Sequence, residues 1–284
     1  MPERKWLISS ELLLDSKEAE VSVIIPCYRA ALTIGRALAS VAAQSHKPRE
    51  VIIVDDASDD DTVKVLRELS KKYDGGWLKI FFLSQNCGPA AARNYGWNRA
   101  SQPFVAFLDA DDSWHQKKIA LQLGLMKRYS EVVVSGHGCG GESILVRRVA
   151  RYYQVWPCTL RQLLWRNYLR TPTVMIRRNA VLNFSVDFRY GEDYNLWLGL
   201  LATGVQAVFL DLPLAVVHKP AFGVSGQSAA LWQMELGELR AIRAAWRRGS
   251  VSLMLTLLAM GWSLIKFCRR VLICMFKGRR SLSA

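Results

Sequence analysis

Hydrophobic positions in the first third of the chain fall into short solid runs separated by segments of helical spacing. Val21–Pro26 (VSVIIP), Glu50–Val54 (EVIIV), Leu78–Leu83 (LKIFFL) and Phe104–Leu108 (FVAFL) show no apolar–polar alternation. That pattern predicts strands buried on both faces. Between them lie LTIGRALASVAAQ, TVKVLRELSKKY and PAAARNYGWNRA, which read as helices, the last opened by Pro89. The βαβαβαβ order predicts an α/β fold, a mostly parallel sheet covered by helices on both faces. In such sheets ligands bind outside the carboxyl ends of the strands.

Acids collect at those ends. Phe104–Leu108 stops abruptly in Asp109, Asp111 and Asp112. Carboxylates packed together repel one another and lose hydration, so they need a positive partner. Asp109 and Asp111, at i and i+2, offer hard oxygen ligands of the kind Mg²⁺ and Mn²⁺ prefer. At the end of the second strand, Asp55 and Asp56 sit where an acid accepts hydrogen bonds from a ribose hydroxyl or a base N–H. Ser58–Asp61 are expected to cap the helix from Thr62. The turn after the first strand, PCYRA, holds no glycine, which excludes a G-x-G-x-x-G dinucleotide fingerprint.

Further along, Glu192 and Asp193 precede a helix with Leu196, Trp197, Leu200 and Leu201 on one side. Two roles are open to them. As first-turn acids they complement the helix dipole. A carboxylate there is also a candidate general base, although the dipole works to lower its pKa. His218, after LPLAVV, either packs at a strand end or reaches a metal or diphosphate. Ser135–Ser143 (SGHGCGGES) reads as a glycine-rich loop whose His137 and Cys139 lack partners at metal-ligand spacing.

Charge and composition narrow the partners. The chain of 284 residues carries six cysteines and no C-x-x-C pair, so reduced thiols are expected. The N-terminus alternates charged and apolar residues without the continuous core of a signal peptide, which predicts a protein that is not exported. Of the net charge of +14, ten cations and no acid fall from Arg240 onward. The same stretch holds a fifteen-residue apolar run, Val251–Ile265, followed by Lys266, Arg269 and Arg270. That run falls short of the roughly 20 residues of a transmembrane helix. A helix lying in the interface of an anionic membrane fits better than a nucleic-acid site, because the cations flank apolar residues and no nucleic-acid-binding module is present. A buried C-terminal helix with a solvated basic end is the alternative.

Five stretches in order, VSVIIPCYRAALTIGRALASVAAQS, EVIIVDDASDDDT, NCGPAAARNYGWNRA, FVAFLDADD and GEDYNLWLGLLATG, resemble the successive motifs of family 2 glycosyltransferases. The resemblance runs from about Val21 to Lys219. It implies the glycosyltransferase-A fold, a nucleotide-sugar donor, a divalent metal (Mn²⁺ or Mg²⁺) and inversion at the anomeric carbon. Residue by residue, it implies Pro26, Tyr28 and Asp56 at the nucleotide base, Asp55 assisting, and Arg93 contacting the nucleotide. It also implies Asp109 at ribose and metal, Asp111 as principal metal ligand, and Asp193 as catalytic base, with Glu192 supporting it or binding the acceptor. Arg170–Arg178 (RTPTVMIRR) resembles the family's acceptor-side strand, and reads equally as an edge strand with exposed arginines.

The expected organisation is a leader over 1–20, a catalytic domain over 21–222 and a helical basic tail over 223–284. The expected function is single transfer of sugar from a nucleotide diphosphate, in the first instance a UDP-sugar. The acceptor would be a saccharide, lipid-linked by analogy, in bacterial surface polysaccharide synthesis at the cytoplasmic face of the inner membrane. Too few apolar segments are present for a processive, multi-span synthase. The rival classes are a non-catalytic nucleotide-binding relative and a basic nucleic-acid-binding protein.

Overall fold

The computed structural model describes residues 6–10, 16–73, 75–218 and 230–281. A short strand, β1 (Trp6–Ser9), precedes the alternating set β2 (Glu18–Cys27), α1 (Ile34–Ala42), β3 (Lys47–Asp55), α2 (Thr62–Lys72), β4 (Leu78–Phe82), α3 (Pro89–Arg99) and β5 (Phe104–Phe107). The second half adds β6 (Ser113–Trp114), α4 (Lys118–Arg128), β7 (Val132–Gly140), β8 (Tyr152–Cys158), α5 (Leu160–Trp165), β9 (Met175–Arg177), α6 (Glu192–Ala202) and β10 (Gln206–Val216). Two helices close the chain, α7 (Leu231–Arg247) and α8 (Leu253–Ser281).

The strands form one sheet in the order β1-β8-β10-β7-β9-β5-β2-β3-β4, with β6 pairing β10. Strands β5, β2, β3 and β4 are parallel, as are β7 and β10, and antiparallel β9 joins the two groups. Both faces are covered, which accounts for the solid apolar runs. Val23 and Ile25 of β2 pack in one core with Leu38 of α1, while Ile24 between them packs in the other with Trp97 of α3. In β5 the same division puts Phe104 and Ala106 on one side, Val105 and Phe107 on the other.

The structure departs from expectation in three places before the tail. Residues expected as leader hold β1, which pairs antiparallel with β8 from Trp6–Val155 to Ser9–Tyr152, with Ile8 buried beneath. The glycine-rich stretch expected as a loop lies largely within β7. Its glycines supply room rather than a turn, since a Cβ at Gly136 would stand 2.5 Å from Leu169 Cδ2. Strand β9, within the stretch that also read as an edge, is interior, and Arg177 donates through Nη2 to Met126 O at 2.8 Å. The boundary expected between 222 and 223 lies outside the described residues.

Candidate active site

The carboxyl ends of β2, β3 and β5 open onto a crevice of about 480 Å³. Pro26, Tyr28, Asp56, Arg93, Asp109 and Asp111 all line it. Residues drawn from four separated motifs thus share one cavity. Asp109 begins a tight turn just beyond β5, closed by Asp112 N–H donating to Asp109 O at 3.1 Å. Arg36 from α1 donates to Asp111 O at 2.8 Å and fixes the turn from the other side. Asn86, Arg189 and Tyr190 also line the crevice and were not singled out in the sequence.

The paired acids at the end of β3 brace the loops around the crevice. Asp55 accepts from Ser58 N–H at 3.1 Å and from Ser58 Oγ at 2.6 Å, holding the turn in which Ala57 adopts φ of +57°. Asp56 accepts from Cys87 N–H and Gly88 N–H, both at 2.8 Å, and so positions the start of α3. Gly88 sits at φ of +85°, a conformation that disfavours any side chain. Each Asp56 oxygen keeps a further lone pair for a ligand donor. Tyr28 is 44% exposed at the mouth, an aromatic face open to a planar ring. Asp55 is buried and does not line the cavity itself.

A charge network runs from the cavity wall into the interior. Arg93, on α3, donates through Nη1 to Glu192 Oε1 at 2.9 Å and through Nη2 to Asp109 Oδ1 at 2.7 Å. Burial alone would lower its pKa, but Asp109 and Glu192 prevail and hold the guanidinium charged. Glu192 and Asp193 open α6. Asp193 accepts from Thr171 Oγ1 at 3.1 Å and from Tyr194 N–H at 2.6 Å. Burial raises the Asp193 carboxyl above its ordinary value, against the opposing pull of Arg93 and of these two hydrogen bonds. Glu192 is raised as well, first by burial and also by Asp193, with Arg93 opposing. Desolvation therefore prevails over the hydrogen bonds and the cation that favour the charged forms.

Thr171 escaped the sequence reading as a partner of Asp193. It lies in a one-turn 3₁₀ segment, Thr171–Thr173, held by Trp114 Nε1 donating to Pro172 O at 2.7 Å. The segment before α6 is fixed by α7: a Cβ on Gly237 would stand 2.3 Å from Tyr190 O, so only glycine fits.

The donor set suits a magnesium or manganese ion. Asp109 and Asp111 are hard carboxylates at the crevice wall, and such ions take only one or two protein carboxylates, drawing the rest of their shell from water and phosphate. Among the described residues no group of three His, Cys, Asp or Glu side chains is assembled for a metal. His218 follows β10; its Nε2 lies 3.0 Å from Ser113 Oγ and its Nδ1 3.0 Å from Glu142 Oε1. His218 thus sits beside Ser113, which adjoins the turn of Asp109 and Asp111.

Comparison with known proteins agrees with this geometry. The family described as Glycosyl transferase family 2 matches residues 22–191. The amylovoran biosynthesis glycosyltransferase AmsB of Erwinia amylovora is 30% identical over 217 residues, covering 71% of this chain and 70% of that protein. The UDP-Glc:alpha-D-GlcNAc-diphosphoundecaprenol beta-1,3-glucosyltransferase WfgD of Escherichia coli is 32% identical over 184 residues, 64% of this chain and 69% of that one. Among solved structures, S. aureus TarS 1-349 superposes with a TM-score of 0.61 at 22% identity, covering 86% of this chain and 70% of that one. The mannosyltransferase PcManGT of Pyrobaculum calidifontis, solved with GDP-Man and Mn²⁺, gives a TM-score of 0.65 at 17% identity, covering 94% and 81%. These structures share the glycosyltransferase-A type fold, a mostly parallel sheet flanked by helices. On the family match and the extent of its relatives, the chain belongs to the family 2 glycosyltransferases.

Proposed function

We propose that this glycosyltransferase moves one sugar from a UDP-sugar to a lipid-linked saccharide, with inversion, in bacterial surface polysaccharide synthesis. The observation that carries the reading is the shared crevice. Pro26, Tyr28, Asp56, Asp109 and Asp111 line it, and Arg93 ties its wall to Glu192 beside Asp193. UDP as carrier is supported by WfgD, named for a UDP-Glc donor and a diphosphoundecaprenol acceptor, and by TarS, solved with UDP-GlcNAc.

Pro26, Tyr28 and Asp56 hold the base, with Asp55 fixing the turn that presents Asp56. Asp109 meets the ribose and, with Asp111, holds a Mn²⁺ or Mg²⁺ ion, which when bound neutralises the departing diphosphate. His218, held beside that turn by Ser113, lies on the side from which it would assist with the ion or the diphosphate. Asp193 takes the proton of the acceptor hydroxyl as the hydroxyl oxygen bonds to the anomeric carbon. The bond from that carbon to the diphosphate breaks, and the nucleoside diphosphate leaves. Glu192 keeps Arg93 against the base, and Arg93 completes the positive wall facing the nucleotide. Among the described residues no helix is long and apolar enough to cross a membrane. The basic tail is assigned to the surface of an anionic membrane, on its cytoplasmic face.

Thermal shifts with UDP-Glc, UDP-GlcNAc and GDP-Man, each with and without Mn²⁺, test the donor assignment. Only binding of the folded state raises the melting temperature. A shift confined to a UDP-sugar with metal, followed by transfer to a polyprenyl-diphosphate saccharide, is the expected result. Equal metal-free shifts with all three, or donor binding with neither transfer nor hydrolysis, contradict it; the latter favours a non-catalytic relative.

A further inference from the structure

Helix α8 is built inside out. A helix packed on a soluble core turns its apolar stripe inward and its charges to water. In α8 the inward side carries Thr256, Ala259, Ser263, Lys266 and Arg270, the first three almost fully buried. Lys266 Nζ donates to Glu238 Oε1 at 2.5 Å, and Arg270 Nη2 to Glu235 Oε2 at 2.6 Å, both acids on α7. The opposite side presents Met254, Leu257, Leu258, Ile265 and Leu272, each at least 53% exposed. These positions recur at steps of three, four and seven residues, so they share one face of the helix.

The ion pairs dictate this rotation. Glu235 is 0% exposed, and Arg270 supplies its charged partner. Turning α8 to hide its leucines would strand that acid without a cation. Lys266 and Arg270, expected from the sequence at a lipid headgroup, are instead spent inside the α7–α8 pair.

Charge selects what covers the leucine face. Exposed Arg240, Arg243 and Arg247 of α7 and Arg269 of α8 belong to a stretch with ten cations and no acid. Trp232 and Trp246 are exposed on the same helix pair. A second copy mated through α8 would bring two such basic stretches together, which repel. An anionic bilayer attracts them, and exposed tryptophan, arginine and leucine are the residue types of an interfacial surface.

We infer that the outward face of α8 docks in the headgroup–acyl boundary of an anionic bilayer, with the Lys266–Glu238 and Arg270–Glu235 pairs setting its rotation. Helix α7 then ties the docked surface to the crevice, since Gly237 seats on Tyr190, a crevice residue next to the start of α6. Docking presents that edge of the crevice to an amphiphilic acceptor. This deepens the lipid-linked acceptor reading and rests on it for its purpose, though not for its test.

The test is flotation of the full chain with vesicles of phosphatidylcholine alone and with 1:1 phosphatidylglycerol, alongside donor-nucleotide binding on the same samples. The wild type is expected to float with the anionic vesicles and to be partly released by salt. Leu257→Glu/Ile265→Glu should lower vesicle partitioning by more than about tenfold, as apolar side chains are withdrawn from the interface. Arg243→Gln/Arg247→Gln should remove part of the salt-sensitive binding while keeping the apolar face. Should the glutamate pair fail to fold, Leu257→Ser/Ile265→Ser keeps the question answerable. Flotation of folded Leu257 and Ile265 variants at the wild-type level overturns the inference. So does a wild type that ignores anionic vesicles, or one that forms a dimer dissolved by the same variants. Vesicle binding without donor binding would leave the docking surface standing and refute the donor assignment instead.

Discussion

Arg93 and Glu192, 99 residues apart in the chain, meet through a 2.9 Å ion pair between Nη1 and Oε1. The second Nη of the same guanidinium lies 2.7 Å from Asp109, so one cation joins the strand-end acids to the helix that begins with Asp193. Side chains from α3, the turn after β5 and α6 therefore hold each other in place.

Replacing Arg93 by Met should strand the buried Glu192 carboxylate and leave the partly exposed Asp109 without its cation. Loss of one partner from a buried charge network costs about 3–5 kcal/mol, and urea denaturation should show a loss of that size. Arg93→Lys keeps the charge but loses the forked geometry, and should fall between wild type and Arg93→Met. Stability within about 0.5 kcal/mol of wild type for Arg93→Met would mean that the network does not hold the site.

The acid limb of transfer should lie above the ordinary carboxylate range. A general base works only when ionised, and burial raises the Asp193 carboxyl in the folded protein. Activity should then fall as pH drops through that raised value, which belongs to the Glu192–Asp193 pair rather than to one group. Thr171 donates to Asp193 and favours its charged form. Thr171→Val should accordingly move the limb to higher pH in a profile of kcat/KM. A limb at the ordinary carboxylate value, or one unmoved by Thr171→Val, would contradict this.

Asp111→Ala should leave the sheet intact, because Asp111 stands beyond β5 at the crevice wall. Removing one of only two proposed carboxylate ligands should abolish the Mn²⁺ dependence of donor binding measured by calorimetry. Mn²⁺-dependent donor binding retained in a folded Asp111→Ala protein would move the metal elsewhere.

The parallel half of the sheet was legible because both of its faces are covered, which leaves unbroken apolar runs such as Val21–Pro26. The crevice acids were legible because they follow those runs directly. Contacts across long stretches of chain were not: nothing near Arg93 announces Glu192, and nothing near Asp193 announces Thr171. Gly136 misled because composition does not distinguish a glycine that bends the chain from one that makes room for Leu169. The tail held a signal that counting cations alone missed. Lys266 and Arg270 stand four apart and Glu235 and Glu238 three apart, so each pair shares one helix face and the two faces can meet.

The central claim is that Asp193, next to Glu192 and joined through it and Arg93 to the crevice wall, is the base of the sugar transfer. Transfer from the UDP-sugar to a polyprenyl-diphosphate saccharide, compared between wild type and Asp193→Asn, tests it most directly. Asparagine keeps the shape but removes the proton acceptor, so kcat should fall by roughly 10²–10⁴ with metal-dependent donor affinity little changed. Transfer by Asp193→Asn near the wild-type rate would contradict the account and make Glu192 the next group to examine.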